Sequence, residues 1–257
     1  MLPETGAVPP PLPRTDFVAP ARPWGPWATL GWSLVIVFAA FAAQTVVVAA
    51  FAVIATVRGE KVDVESLASD GNVLAPAACA MGLVAFGLSL LFAGIRDGMR
   101  LKEYLALRLP SKKEFLRWAA LLILFVLASD GITTLLGKPI VPEVMVELYL
   151  STDWARPLLW LALFVTAPLS EEFFFRGFLF TGLQRSRLGS IGTIVLTAAL
   201  WAAIHVQYDL HGIIVIFFLG LLLGIARLRT SSLWLCVILH ALMNLIATMQ
   251  LLAKLAR

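Results

Sequence analysis

A chain of 257 residues that is 60% hydrophobic and only 14% charged is not a water-soluble domain, which is nearer half apolar and a quarter charged. Its formal net charge of +4 does not point to nucleic acid, because the basic residues gather in loops beside apolar runs, where they set topology. Two cysteines, Cys79 and Cys236, lie within apolar runs. They argue against a disulfide framework and read as small apolar filler.

Residues 1–27 are rich in Pro and Ala, with Pro9-Pro10-Pro11 among them. They cannot bury a core and are expected to form a disordered or polyproline-like tail. They show no basic stretch followed by a short apolar core, the pattern of a secretory signal. Trp24 and Trp27 mark a membrane interface. Ala28–Val57 is the first expected span, with Gln44 and Thr45 placed for interhelix hydrogen bonds. The 58–72 loop carries more acids than bases. In the second span, Val73–Ile95, Gly82, Gly87 and Gly94 permit close helix approach.

The most basic loop, 96–117, contains Met99, Leu101, Tyr104, Leu105 and Leu107. These suggest a short interfacial helix ending before Pro110. Trp118–Leu136 is the third span, and Asp130 in its second half is expected to bond to a neighbouring helix or to water. The 137–156 loop carries Glu143, Glu147 and Asp153. Trp154–Leu188 reads as helix throughout. At about 1.5 Å per residue it would be near 50 Å long, too long for one upright span. Pro168 is placed to kink it. Ser190–Val206, Gly212–Ala226 and Ser232–Leu252 complete the set.

The expected fold class is therefore an all-α polytopic transmembrane helical bundle of about seven spans around a conical intramembrane polar cavity. Its parts are the tail 1–27, the N-terminal transmembrane helices 28–154 with a basic cytoplasmic loop, and the helices 155–257. The basic loops 96–117, 184–187 and 227–229 face the cytoplasm by the positive-inside rule, which puts the N-terminus inside. Lys254 and Arg257 run against that orientation.

Ser170-Glu171-Glu172-Phe173-Phe174-Phe175-Arg176 sets two carboxylates and a guanidinium inside an apolar run. Such residues are costly in lipid and usually face a protein interior. Successive helical residues diverge by about 100°, so Glu171 and Glu172 cannot share a face. Glu172 and Arg176 are spaced i,i+4 with the acid first, the favourable order for a pair. They read as an internal ion pair, which leaves Glu171 without a nearby partner.

His205 ends one span, with Trp201 and Asp209 one turn to either side. His240 lies in the middle of the last span, with Asn244 one turn on. Mutual convergence is the cheapest way to satisfy these groups. At about 1.5 Å per residue, His205 would sit some 9 Å too far toward the outer side. A shielded carboxylate can act as a general base with a neighbouring His, and an imidazole and a carboxamide one turn apart can donate to one oxyanion. That is equipment for water attack on an amide. Ser170 and Cys236 are poorly placed as nucleophiles. Zinc held by Glu171, His205 and His240 is a rival chemistry.

Glu171-Glu172-x-x-x-Arg176, Trp201-x-x-x-His205 and His240-x-x-x-Asn244, with Ala167-Pro168 and Gly220-x-x-x-Gly224 beside them, resemble the CAAX protease and bacteriocin-processing (CPBP or ABI) family of intramembrane glutamic proteases. Trp201 stands where the family more often has Phe. The resemblance covers roughly Trp160–Met249. It implies a metal-independent endopeptidase without a cofactor, with residues 155–257 as the catalytic helices. It further implies Glu171 as base, His205 assisting it, His240 and Asn244 as the oxyanion site, and Glu172 and Arg176 as structural.

The expected partners are membrane lipid and a peptide or protein substrate, lipidated or not, and no nucleic acid. The expected location is a bacterial cytoplasmic membrane. The competing readings are a zinc-dependent protease using the same residues, a non-enzymatic immunity factor or scaffold, and a proton-coupled transporter. The last lacks the paired inverted repeats of such proteins.

Overall fold

The computed structural model describes residues 22–61 and 63–257. Every element among them is helical. In chain order they are α1 (Pro26–Val57), α2 (Val64–Ser69), α3 (Gly71–Gly94), α4 (Leu101–Tyr104), α5 (Lys112–Leu135) and α6 (Glu143–Ser151). There follow α7 (Arg156–Leu183), α8 (Gly189–Ala203), α9 (Leu210–Thr230) and α10 (Leu233–Leu255). Six of these, α1, α3, α5, α7, α9 and α10, are long and apolar enough to cross a membrane. The chain is a multi-pass membrane protein. The seventh apolar helix, α8, has 15 residues. It spans about 22 Å at 1.5 Å per residue, against a hydrocarbon core of about 30 Å.

The bundle is organised around α7. It packs on α3 at one side and α10 at the other, while α8 and α9 pair with each other and close against it. Its own sequence explains the central place. Phe173, Phe174, Phe175, Phe178, Leu179 and Leu183 are all buried in the main core. By contrast α1 leaves Leu34, Phe38, Phe41 and Val53 exposed, as expected of a helix facing lipid on most sides.

Several local expectations need correction. Residues 1–21, most of the expected tail 1–27, lie outside the described residues; the described part begins at Arg22 and is held to the bundle. The Trp24 indole donates to the Phe92 carbonyl at 2.7 Å and carries the Arg96 guanidinium over its ring. In the 96–111 segment Met99, Leu101, Tyr104, Leu105 and Leu107 turn toward the core, while Leu109 stays exposed. Tyr104 and Leu105 are fully buried, and Ala106, at φ +51°, reverses the chain so that its carbonyl accepts from Leu233 N–H at 3.0 Å. Lys112, Lys113 and Arg117 belong to α5, which starts at a reciprocal cap between Ser111 and Glu114. Arg227 and Arg229 form the last turn of α9 and not a loop.

Close approach is confined to particular glycines. A Cβ on Gly82 would meet Ser170 Oγ and Thr166 at 3.3 Å, whereas Gly87 and Gly94 face open space. Gly220 and Gly224 both lie tight against α8, each with a neighbour 2.9 Å from an added Cβ; at Gly220 that Cβ would lie 2.9 Å from Ala198 Cβ and 3.2 Å from the Trp201 ring. Gly220→Ala should therefore push α9 off α8 and destabilise the bundle by about 1–3 kcal/mol, as overpacking does. Gly94→Ala should be close to neutral. Thermal unfolding of the two variants in the same detergent checks the contrast.

Candidate active site

The site begins with the backbone of α7. Two segments, Ala162–Thr166 and Phe173–Leu179, are wound as π-helix, a form that occurs inside α-helices mostly at functional sites. They flank the Ala167–Glu172 turn on both sides. In the first segment the Ala167 N–H reaches the Ala162 carbonyl, five residues back. The next bond in that register would join Pro168 to Leu163, but proline has no N–H. Asn244 supplies the donor instead, its Nδ2 lying 2.7 Å from the Leu163 carbonyl. In the second segment the Arg176 carbonyl accepts from buried Arg227 Nε at 3.0 Å.

The turn between these segments points the two acids apart, as the helical spacing requires. Glu172 is fully buried. Its Oε1 accepts from Arg176 at 2.9 Å and from His240 Nδ1, also at 2.9 Å. The ion pair read from the i,i+4 spacing is therefore present, with His240 as a third member that the spacing did not reveal. A carboxylate oxygen only accepts here, so His240 carries its proton on Nδ1. Arg176 also donates to the Gly220 carbonyl at 3.2 Å and lies 4.5 Å from the centre of the Trp201 ring.

Glu171 is half-buried and has a partner after all. The Trp201 indole N–H donates to its Oε2. The same tryptophan meets both histidines edge-on, at 5.3 Å between ring centres in each case. Its backbone carbonyl accepts from His205 Nδ1 at 2.7 Å. A carbonyl cannot donate, so His205 too is protonated on Nδ1 and leaves Nε2 free. Among the described residues no direct hydrogen bond joins Glu171 to His205. Trp201 connects them, by its side chain to one and its backbone to the other.

Helix α8 stops at Ala203 and does not run on through Val206 and Asp209. Ile204–Tyr208 form turns instead. Asp209 caps α9, accepting from Gly212 N–H at 2.9 Å, and pairs with Lys138. The Lys138 ammonium draws its carboxyl below the ordinary range. Tyr208, which spacing did not single out, packs 6.2 Å from His205. Burial and then the Glu171 charge push its phenol above the ordinary range.

A cavity of about 470 Å³ gathers these groups. Trp201, His205, Tyr208, His240 and Asn244 line it, together with apolar Leu163, Ile216, Leu219 and Met243. Glu171 is not among the lining side chains and is approached across Trp201 and Tyr208. Asp130 lines the cavity further out and accepts from Gln250 of α10 at 2.7 Å, the helix-to-helix bond expected of it. His211, the third histidine and also unremarked in the sequence, reaches Thr133 Oγ1 at 2.9 Å. Among the described residues no three His, Cys, Asp or Glu side chains are placed to hold a metal ion. The zinc set of Glu171, His205 and His240 is therefore not assembled here. Ser170 Oγ donates back to Ala167, and Cys236 lies buried against the Leu223 carbonyl. Neither faces the cavity.

Residues 153–246 match the family described as type II CAAX prenyl endopeptidase Rce1-like, over the same stretch that carries the three motifs. A 120-residue stretch is 33% identical to an Escherichia coli protein described as an uncharacterized 24.3 kDa protein. That stretch is 44% of this chain and 48% of the relative, so the chain spans about half the length of the curated relative it matches. No solved structure matches.

Removing one partner of a buried ion pair leaves the other charge uncompensated, at a cost of about 3–5 kcal/mol. Arg176→Ala strands Glu172 in that way, and its folded yield in detergent should fall well below wild type. Glu171→Gln, at a half-buried position, should fold at the wild-type level. Size-exclusion profiles of the two variants test the difference.

Proposed function

We propose that the cavity is the active site of an intramembrane endopeptidase, with residues 155–257 as the catalytic half. The observation that carries this reading is the meeting of three helices at one cavity. His205, His240 and Asn244 line it together, and Glu171 is tied to the Trp201 that lies between the histidines. The matched family, described as an endopeptidase, supports the same class. The protein would sit in a bacterial cytoplasmic membrane and act on a peptide or protein, with or without an attached lipid.

The reaction is read as water attack on a peptide carbonyl. Glu171 takes a proton from the water, and His205, with Nε2 unprotonated, accepts a hydrogen bond from that water and orients it. As the water oxygen bonds to the carbonyl carbon, negative charge develops on the carbonyl oxygen. Asn244 spends one N–H on Leu163 and keeps a second for that oxygen. His240 can donate from Nε2 only as the imidazolium, because its Nδ1 is committed to Glu172. Glu172 would offset that positive charge, much as a carboxylate backs a catalytic histidine elsewhere. The C–N bond then breaks, and the proton held by Glu171 passes to the leaving amine. Glu171 adjoins the cavity wall without lining it, so the reading requires the Trp201 edge to admit the water when substrate binds.

The same bonds favour a second reading. Glu172, Arg176, His240 and Asn244 also lock α7 to α9 and α10, which a non-enzymatic scaffold or immunity factor would use equally well. Comparing released peptides and new protein termini between cells carrying wild type and Glu171→Gln separates the two. Products that vanish with Glu171→Gln support the peptidase; identical products at equal protein level support the scaffold.

Two further outcomes follow from the mechanism. Activity should survive strong chelation, since no step uses a metal. Trp201→Phe keeps an aromatic ring at the site and removes the indole N–H that holds Glu171, together with part of the ring. Hydrogen bonds to charged groups contribute about 1.5–3 kcal/mol, so product formation per amount of folded protein should drop by roughly 10- to 100-fold.

A further inference from the structure

The helices gather their connecting segments at two ends of the bundle, and the ends differ in charge. At one end the chain between Arg96 and Arg117 holds seven Lys or Arg against three acids, and the turn after α7 adds Arg185 and Arg187. At the other end the 58–70 segment holds four acids against two bases, and the 136–155 segment three acids against Lys138. Arg156, Lys254 and Arg257 run against this division; Lys254 is tied to Glu143 and to the Val141 carbonyl, each at 3.4 Å, and Arg156 donates to the Thr152 carbonyl at 2.6 Å. Arg227 is buried and takes no part in the contrast. Short segments rich in Lys and Arg remain in the cytoplasm, so the first end is the cytoplasmic one.

The cavity opens at the second end. Its outer wall is the Lys138–Glu143 stretch, the Gln207–Asp209 turn and Gln250 near the end of α10, all from the acid-rich side. No residue of the 96–117 segment lines it.

We propose that the cavity opens on the non-cytoplasmic face of the membrane and takes polypeptides that present their scissile bond from that side. Such a substrate is an exported chain, or the outer juxtamembrane segment of a membrane-anchored protein. A C-terminus made and modified in the cytoplasm would meet the closed, basic end of the bundle. The substrate class rests on the peptidase reading of this cavity; the direction of opening does not.

Single-cysteine labelling with a membrane-impermeant maleimide tests it in intact expressing cells, on the full chain. Cys79 and Cys236 are both buried and give little background. Gln207→Cys reports the cavity mouth, Lys102→Cys the opposite end, and Glu60→Cys a second site on the mouth side; all three positions are exposed. The expected result is labelling of Gln207→Cys and Glu60→Cys without permeabilisation, and of Lys102→Cys only after it. If Gln207→Cys does not accumulate, Glu60→Cys decides. Labelling of the mouth-side cysteines only after permeabilisation, or of Lys102→Cys in intact cells, overturns the proposal. Either result leaves the dependence of cleavage on Glu171 unaffected, so failure of the orientation and failure of the peptidase reading are told apart.

Discussion

A fully buried carboxylate at membrane depth has to be neutralised and hydrogen-bonded, and Glu172 meets that requirement with two partners on different elements. Arg176 comes from the same helix and supplies the charge. His240 comes from α10 and fixes how that helix is rotated against α7. Because Oε1 accepts both bonds, a turn of either helix about its axis would break one of them. Arg176 extends the constraint by donating to the Gly220 carbonyl. That contact is possible because glycine lets α9 lie against Ala198 and Trp201 of α8. One buried acid thus sets the relative positions of four helices, and with them the direction in which His240 presents Nε2.

The π-wound segments extend this arrangement to the backbone. Each wide turn releases a carbonyl from the helical ladder, and an unpaired carbonyl away from water is costly. Asn244 and Arg227 answer that need at Leu163 and Arg176. Backbone irregularity and polar side chains therefore stabilise each other, which is how a membrane helix tolerates both. Local distortion also lets Glu172 face α10 while its neighbour Glu171 faces Trp201, without a break in the 28-residue helix.

Much of this was legible in the sequence because lipid imposes simple rules. Long apolar runs gave the helices, helical spacing gave the Glu172–Arg176 pair and the divergence of the two acids, and Pro168 marked the irregular part of α7. The missing features depend on tertiary structure. No local pattern announces a π segment, since its register is settled by donors as distant as Asn244. The Glu172–His240 bond joins residues 68 apart. Hydropathy does not distinguish an apolar side chain facing lipid from one facing protein, so Tyr104 and Leu105 read as interfacial while they pack in the core. The same limit applies to Gly87 and Gly94, which resemble Gly82 in sequence but have no neighbour to admit.

The depth of His205 illustrates the limit and its resolution. If its helix ran on through Val206, His205 would stand about 9 Å above the level of Glu171, beyond reach of a common substrate. The helix ends at Ala203 instead, and the chain turns, held at one side by His205 on the Trp201 carbonyl and at the other by the Asp209 cap. A helix too short to cross the bilayer leaves a depression above it. That depression is the cavity, open from the acid-rich end toward the middle of the bundle. The short α8 therefore reconciles two demands that conflict in a full-length span. It keeps Trp201 in contact with Glu171 and Arg176, and it lets the polar turn residues His205, Gln207 and Tyr208 line the same cavity as His240 and Asn244.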